Sequence, residues 1–575
     1  LKKAKAPTDL TMRELKLIVI VLAGCLALPH CSDLNVEKLY SNGVVASSSP
    51  IASAIGLEIL KSGGNAFDAA VATALAAAVS YPQAGNIGGG GFALIYDSQT
   101  KRVKALDFRE IAPGAATPNM FLDDSGKVIE NESLLGVKAA GVPGTVAGLY
   151  ELWQKHGSLT WFELVKPAMD LADSGFVLSP HMTDAFKEYQ KDLARFEETR
   201  KVFFENGTVL SAGKKLVQKD LAATLERIGL SGDSGFYFGP TADLIVAAMQ
   251  KHGGLITKAD LEQYKPVWRQ PLSFEFDTLQ IFSMPPPSSG GVIMGQILKL
   301  LEPFDFYGYS PDHPEYIHLF TEACRLAYAD RAVHLGDPDF VHNPVTELLD
   351  STYLESRRSQ IDIKRAGRSE KIGSGLPDTY QESENTTHFS VVDKDGNAVS
   401  ITYTINTAFG SKLIVDGAGF LLNNEMDDFS LSPGVPNFFG LLGGQANAIA
   451  PHKRMLSSMS PTIILKKGQP YLVLGSPGGS RIITAVAQTI LNVVRFDQTI
   501  STAVATPRFH HQWLPDTLAL EEKSFAPEIL DALKKLGHSI KETKRYSDVE
   551  AILIDDDGFL IGASDPRGEG AVAAY

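Results

Sequence analysis

The sequence predicts a mixed α/β fold with helices crowded early and sheet late, and three observations carry that prediction. Residues 65–79, from Asn65-Ala66-Phe67-Asp68 to Val79, are alanine-rich and free of glycine and proline, as a buried helix should be. Residues 314–332 place Ile317, Phe320, Cys324 and Ala327 at three- and four-residue steps, one apolar helical face with Cys324 in the core. Strand-like runs at 389–393, 398–405, 471–474 and 551–554 fall in the last third. The first two are joined by Lys394-Asp395-Gly396-Asn397, a hairpin turn signal.

Composition bounds the function. The 575 residues are 44% hydrophobic and 21% charged, ordinary globular proportions with enough apolar material for a sizeable core. Lys+Arg 53 against Asp+Glu 67 gives a net charge of −14, which offers no basic field to a nucleic acid. Cys25, Cys31 and Cys324 are the three cysteines, too few for a disulfide framework and not spaced for a cysteine zinc site. From residue 43 onward there is no internal repeat, low-complexity block or long linker to separate autonomous domains.

The amino-terminal segment reads as an export signal. Arg13 and Lys16 precede an apolar run from Leu17 to Leu28, shorter than the roughly 20 residues that span a bilayer. Leu22-Ala23-Gly24-Cys25 resembles a bacterial lipobox, which makes Cys25 a candidate for lipidation; ordinary secretory cleavage a few residues later is the other reading. Residues 1–31 are therefore taken as a signal or lipoprotein-type segment, with the mature protein periplasmic or lipid-anchored to the envelope.

Several motif readings fail. GxSxG, HExxH and GK[ST] are absent, so a hydrolase elbow, a zincin helix and a Walker loop are unsupported. Gly88 to Ala93 satisfies a relaxed dinucleotide pattern but runs into the strand-like Ala93-Leu94-Ile95-Tyr96 rather than opening a helix. Asp393 to Asn397 has its glycine at the fourth position, where a calcium loop needs the sixth. His510 and His511, being adjacent, point apart, which favours packing or hydrogen bonding over a shared metal.

In the run Ala398 to Asn406, alternation puts Val399, Ile401, Tyr403 and Ile405 on one face and Ser400, Thr402 and Thr404 on the other. Alone, a threonine stripe is compatible with any half-buried hairpin. Its surroundings are more specific. Asn385-Thr386-Thr387-His388-Phe389-Ser390-Val391, Leu422 to Phe429 (LNNEMDDF), Leu456-Ser457-Ser458-Met459-Ser460-Pro461 and Gly475-Ser476-Pro477-Gly478-Gly479-Ser480-Arg481 resemble the γ-glutamyltranspeptidases, bacterial ones in particular. Gly88 to Phe92, Asp107 to Glu110, Gly141 to Gly144, Pro507 to His511 and Ser564 to Arg567 extend the likeness from about residue 43 to the end.

The resemblance implies an N-terminal-nucleophile hydrolase of α+β class: a four-layer αββα sandwich, made as one precursor and cut between Asn385 and Thr386. One globular unit would then hold a large chain, 32–385, and a small chain, 386–575. A threonine hydroxyl is a poor nucleophile until a base takes its proton. Cleavage frees an α-amine of reference pKa roughly 7.7–8.0 on the same residue. Thr386 is thus implied as nucleophile, with Thr404 hydrogen-bonding at its amino group and the backbone N–H groups of Gly478 and Gly479 as oxyanion donors. Arg109 would clamp the substrate α-carboxylate with help from Ser457 and Ser458, while Asn406, Glu425 and Asp428 would take the α-ammonium.

Two departures from the family stand out. Phe439, within a lid-like segment 429–444, occupies a place where many bacterial members carry a tyrosine, and its ring can cover but not hydrogen-bond. Met455 precedes the serine motif where proline is common. The implied reaction is ping-pong transfer of the γ-glutamyl group of glutathione or a relative to water, an amino acid or a dipeptide, a chemistry that requires no metal or organic cofactor. The alternatives are a cephalosporin acylase-like amidase, which need not keep the amino-acid clamp, a poly-γ-glutamate hydrolase, which would be more open, and an unprocessed binding protein.

Overall fold

Two sheets stacked face to face, each covered outside by helices, organise residues 39–575. The computed structural model describes residues 37–375, 386–431 and 445–575; Cys25, Asn385, Phe439 and most of the lid-like segment lie outside the described residues. The strands of the two sheets are β1 (Gly43–Ser47), β2 (Gly90–Asp97), β3 (Arg102–Phe108), β4 (Val267–Arg269), β5 (Leu272–Phe276), β6 (Leu279–Ser283), β7 (Thr387–Asp393), β8 (Ala398–Thr404), β9 (Thr462–Lys466), β10 (Gln469–Gly475), β11 (Glu550–Ile554), β12 (Leu560–Ser564) and β13 (Ala571–Ala574). One sheet has the order β13-β1-β7-β8-β2-β3-β4, the other β12-β11-β10-β9-β6-β5. Helices α1 (Pro50–Lys61) and α2 (Ala66–Ser80) cover the first sheet; α3 (Gly290–Leu301), α4 (Pro314–His334) and α5 (Arg481–Val494) cover the second.

The predicted elements form where the pattern placed them. Helix α2 begins with a capping box in which Asn65 accepts from the Phe67 and Asp68 N–H groups and Asp68 answers the Asn65 N–H at 3.0 Å. Cys324 is a free, fully buried thiol on α4. In the β7–β8 hairpin the Asp393 carboxylate accepts the N–H groups of Asp395 and Asn397 at 2.9 and 3.0 Å, so that sequence is a turn. Sheet is less concentrated in the last third than expected: β1, β2 and β3 come from the first 110 residues and flank the β7–β8 hairpin in the same sheet, β2 containing the strand-like run 93–96. Every residue of β1 is buried, so no polar alternation announces it.

Alternation sorts β8 as the sequence requires. Val399, Ile401 and Tyr403 join the core under α1 and α2, whereas Ser400, Thr402 and Thr404 face the second sheet. Around Ser400 that interior is polar and hydrogen-bonded. The Ser400 hydroxyl donates to the Leu474 carbonyl at 3.0 Å and accepts the Thr462 N–H at 3.1 Å. Among the described residues no helix is long and apolar enough to cross a membrane.

Candidate active site

The end of β7 that carries Thr386 is fixed by pairing and by cross-sheet contacts. Thr387 pairs with Tyr403 in an antiparallel register, so Thr386 falls opposite Thr404, on the face turned to the second sheet. Ser390 Oγ reaches the Val473 carbonyl at 3.4 Å. Two residues back along β7, a Cβ on Gly475 would lie 2.4 Å from the His388 ring. Beyond Gly475, β10 ends and the Pro477-Gly478 loop leads into α5. Thr386 itself is 8% exposed.

His388 stands two residues from Thr386 on β7. Its Nδ1 and Nε2 lie 2.8 and 3.1 Å from the hydroxyls of Thr402 and Ser390. Complete burial pushes its imidazole down to about 3, so it is neutral at pH 7 and ties the two strands of its own hairpin together.

The loop that carries Gly478 and Gly479 is built for close approach. Gly478 has φ +123° and Gly479 φ +70°, conformations unfavourable to any side chain. A Cβ at Gly478 would also lie 2.0 Å from Ser547 Oγ. The loop is anchored beyond the glycines, where the Tyr328 hydroxyl donates to the Ser480 carbonyl and Ser480 Oγ lies 3.3 Å from His510 Nε2. His510 thus hydrogen-bonds here while its neighbour His511 faces Asp516 at 3.2 Å.

Around Arg109 the structure gathers the charged residues singled out in the sequence. The guanidinium is 1% exposed; its Nη1 is 2.7 Å from Glu425 and 3.5 Å from Glu110, and its Nη2 pairs with Asp428. Nε and Nη2 donate to the carbonyls of Met455 and Leu456 at 3.3 and 3.4 Å, the two residues before Ser457-Ser458. Thr404 accepts the Asn406 N–H at 2.7 Å and lies beside the Glu425 carboxylate. An unbroken set of contacts therefore runs from the strand position facing Thr386 through Thr404 and Glu425 to Arg109 and Asp428. The Asn406 amide donates to the Asn424 carbonyl at 2.9 Å, which leaves its side-chain oxygen buried without a partner.

Three carboxylates on one guanidinium cannot all stay ionised out of water. Burial, with Asp428 adding to it, pushes Glu110 up to about 8 against the opposing pull of Arg109. Burial also raises Glu425. Glu110 is the farthest of the three from the guanidinium, 3.5 Å against 2.7 Å for Glu425, so it gains least from the charge of Arg109 and is assigned the proton at neutrality. The sequence reading quoted Glu110 inside a motif without giving it a role.

Arg331 is the other residue that went unnoticed. It lies on α4, 1% exposed, with Nε donating to Ser289 Oγ at 2.8 Å and Nη2 donating to Ser458 Oγ. Ser289 donates its N–H and hydroxyl to the Ser457 carbonyl at 2.6 and 2.8 Å, so the serine pair is held from behind by two elements distant in sequence. The glycines before β2 have a packing role: a Cβ at Gly89 would lie 1.9 Å from the Thr404 carbonyl, so this run lets β2 close on the strand end that carries Thr404. Asn423 ties the same region together through Gly88 and Gly141, bonding each at 2.8 Å.

Comparison with known proteins agrees in extent. The family model described as gamma-glutamyltranspeptidase matches residues 52–575. A glutathione hydrolase proenzyme of Escherichia coli K12 is 48% identical over 526 residues, covering 91% of this chain and 90% of its own. Among solved structures, a cephalosporin acylase from Bacillus halodurans superimposes with a TM-score of 0.83 at 28% identity, over 96% of this chain and 98% of its own. The gamma-glutamyltranspeptidase of Helicobacter pylori gives 0.55 at 44% identity, over 57% of this chain and 94% of its own. The chain belongs to the γ-glutamyltranspeptidase family.

Proposed function

We propose that this protein is a self-processing γ-glutamyltransferase and glutathione hydrolase that cuts itself between Asn385 and Thr386 and then uses Thr386 as nucleophile. The observation that carries the reading is the chain of contacts joining the Thr386 strand position, through Thr404 and Glu425, to the Arg109–Asp428 pair. A nucleophile and a zwitterion-sized set of opposite charges then share one buried site.

The free amine of Thr386 takes the proton of its own hydroxyl, directly or through a water, and the oxygen attacks the γ-carbonyl. The oxyanion is met by the N–H groups of Gly478 and Gly479, donors worth roughly 2.7–4 kcal/mol each in comparable sites. Collapse expels the amine of cysteinylglycine or its equivalent, which takes up a proton, and leaves a γ-glutamyl ester on Thr386. Water then gives glutamate; an amino acid or dipeptide gives a new γ-glutamyl amide.

The α-carboxylate and α-ammonium of the donor enter by exchange. Arg109 turns from Glu425 or Asp428 to the substrate carboxylate, with Ser457 and Ser458 as further donors, and the released acid joins the Asn406 oxygen on the ammonium. An acylase need not keep such an exchangeable pair, which favours the γ-glutamyl reading. Export to the periplasm or envelope, with Cys25 as the candidate lipid site and Phe439 in the lid, belongs to the same proposal.

Denatured intact mass of the wild type beside Thr386→Ala tests it. Two wild-type chains, the smaller beginning at Thr386, and one uncut mutant chain are expected, with release of glutamate from glutathione by the wild type alone. A single uncut wild-type chain, or a processed protein that leaves glutathione intact, would overturn it.

A further inference from the structure

Away from the proposed active site, His318, Glu322 and His538 bring one potential ligand atom each within 4.8 Å of the others, and all three are buried. His318 and Glu322 stand four residues apart on α4 and so share a face. His538 follows Gly537, which ends the helix Pro527–Leu536 at φ +103°.

The hydrogen bonds fix how these rings are oriented. His318 Nε2 lies 2.9 Å from the Asp362 carbonyl oxygen. A carbonyl only accepts, so Nε2 carries the hydrogen and Nδ1 keeps its lone pair. That bare Nδ1 points at His538 Nε2, 2.8 Å away. An imidazole held by a backbone carbonyl, with its free nitrogen aimed at a second imidazole and a carboxylate, is the arrangement that metal-binding histidines require.

Glu322 keeps acceptor capacity. One oxygen takes the Gly367 N–H at 3.0 Å and the other lies 3.2 Å from Arg325, whose guanidinium also serves Asp516 and Ser369 Oγ. A carboxylate has about four lone-pair sites, so a cation can still be met. Of the three, His538 also lines a cavity of about 450 Å³, shared with Asp516, Glu370, Arg325, Arg365 and Arg368.

We propose that His318 Nδ1, His538 Nε2 and a carboxylate oxygen of Glu322 form a site for one divalent transition ion of the zinc type. The two nitrogens need to part to about 3.3 Å, the spacing of tetrahedral ligands at about 2.05 Å from the ion. The loop at Gly537-His538 can supply that movement more readily than α4. With His318 Nδ1 bare, the 2.8 Å contact makes His538 Nε2 the donor, so binding an ion shifts that hydrogen to His538 Nδ1 and frees Nε2 as a ligand.

His318 and Glu322 precede residue 385 and His538 follows it, so a bound ion would clip the two chains of the processed protein together. That consequence rests on the proposed cleavage; the site does not. The test is titration of chelator-stripped full-length protein with Co²⁺ alone, in wild type and in uncut Thr386→Ala. One equivalent with the visible absorption of a four-coordinate ion, displaced by Zn²⁺, is expected in both, together with a rise in the thermal midpoint on adding Zn²⁺. His538→Gln and Glu322→Gln should lose the absorption and the midpoint shift, and metal-free His538→Gln should turn over γ-glutamyl substrates as wild type does. Wild type that shows no saturable absorption at one equivalent, or variants that keep it, would overturn the site.

Discussion

Glu110→Gln should flatten the pH dependence of donor binding on the alkaline side. In the wild type the Glu110 carboxyl is raised to about 8 by burial, so it is neutral at pH 7 and charged at pH 9. When it ionises it adds a negative charge 3.5 Å from Arg109, on the guanidinium that has to receive the donor carboxylate. If only the protonated form binds well, KM scales as one plus the ratio of ionised to neutral Glu110. With a pKa of about 8, that factor rises about 10-fold between pH 7 and 9. The sign is fixed by the direction of the shift: a raised acid loses its proton on going up in pH, so affinity falls with rising pH. The assay is KM and kcat for a chromogenic γ-glutamyl anilide at half-unit steps, wild type beside Glu110→Gln. Titration of the substrate ammonium is common to both proteins, and titration of the Thr386 amine appears in kcat, so the difference in KM between the two isolates Glu110. Superimposable KM profiles would refute the assignment of the proton to Glu110.

Gly478→Ala should cost at least 100-fold in kcat of any processed protein, since φ +123° and a Cβ 2.0 Å from Ser547 Oγ force the donor loop to move; kcat within threefold of wild type would remove Gly478 from the oxyanion site. Arg109→Lys replaces a forked guanidinium by one ammonium, and at about 1.5–3 kcal/mol for a charged hydrogen bond it should raise KM by about 10- to 100-fold with less effect on kcat. Unchanged kinetics with glutathione would exclude Arg109 from donor binding. Arg331→Met should also raise KM more than it lowers kcat, because the Ser457-Ser458 loop loses its support from α4; a fall in kcat alone would place Arg331 with the chemistry instead.

What the sequence made legible was whatever has a period or a motif. Alternation alone divided β8 into an apolar face under the helices and a hydroxyl face toward the second sheet, and the structure has that division. Motif likeness picked out Arg109 from one stretch and Glu425 and Asp428 from another, and they meet at one guanidinium. Arg331 was out of reach because its partners, Ser289 and Ser458, are 42 and 127 residues away and its helix is buried on every side, so no polar face marks it. Glu110 was hidden differently. Its significance lies in being buried beside Arg109 yet farther from the guanidinium than Glu425, and only a folded environment can reveal that. β1 escaped notice because a strand buried on both faces reads as a short apolar run.

The polar seam between the sheets explains how one chain can be both stable and reactive at Thr386. Most sheet sandwiches fill the space between their faces with aliphatic side chains. Here the stretch of β7 and β8 nearest Thr386 contributes His388, Ser390, Ser400 and Thr402, and each reaches a partner in its own hairpin or in the second sheet. Buried hydroxyls with satisfied bonds cost little stability, but they are directional and fix where the strand end lies, which dispersion contacts do less well. A nucleophile next to an oxyanion loop needs its position held to a fraction of an ångström. The neutral His388 suits that duty because it bonds two hydroxyls without bringing a charge near the Thr386 amine, whose pKa has to stay close to neutrality for it to serve as base. The charged groups are kept one step away, beyond Thr404, so in the proposed mechanism Glu425 and its partner Arg109 would act on the Thr386 amine across that hydroxyl.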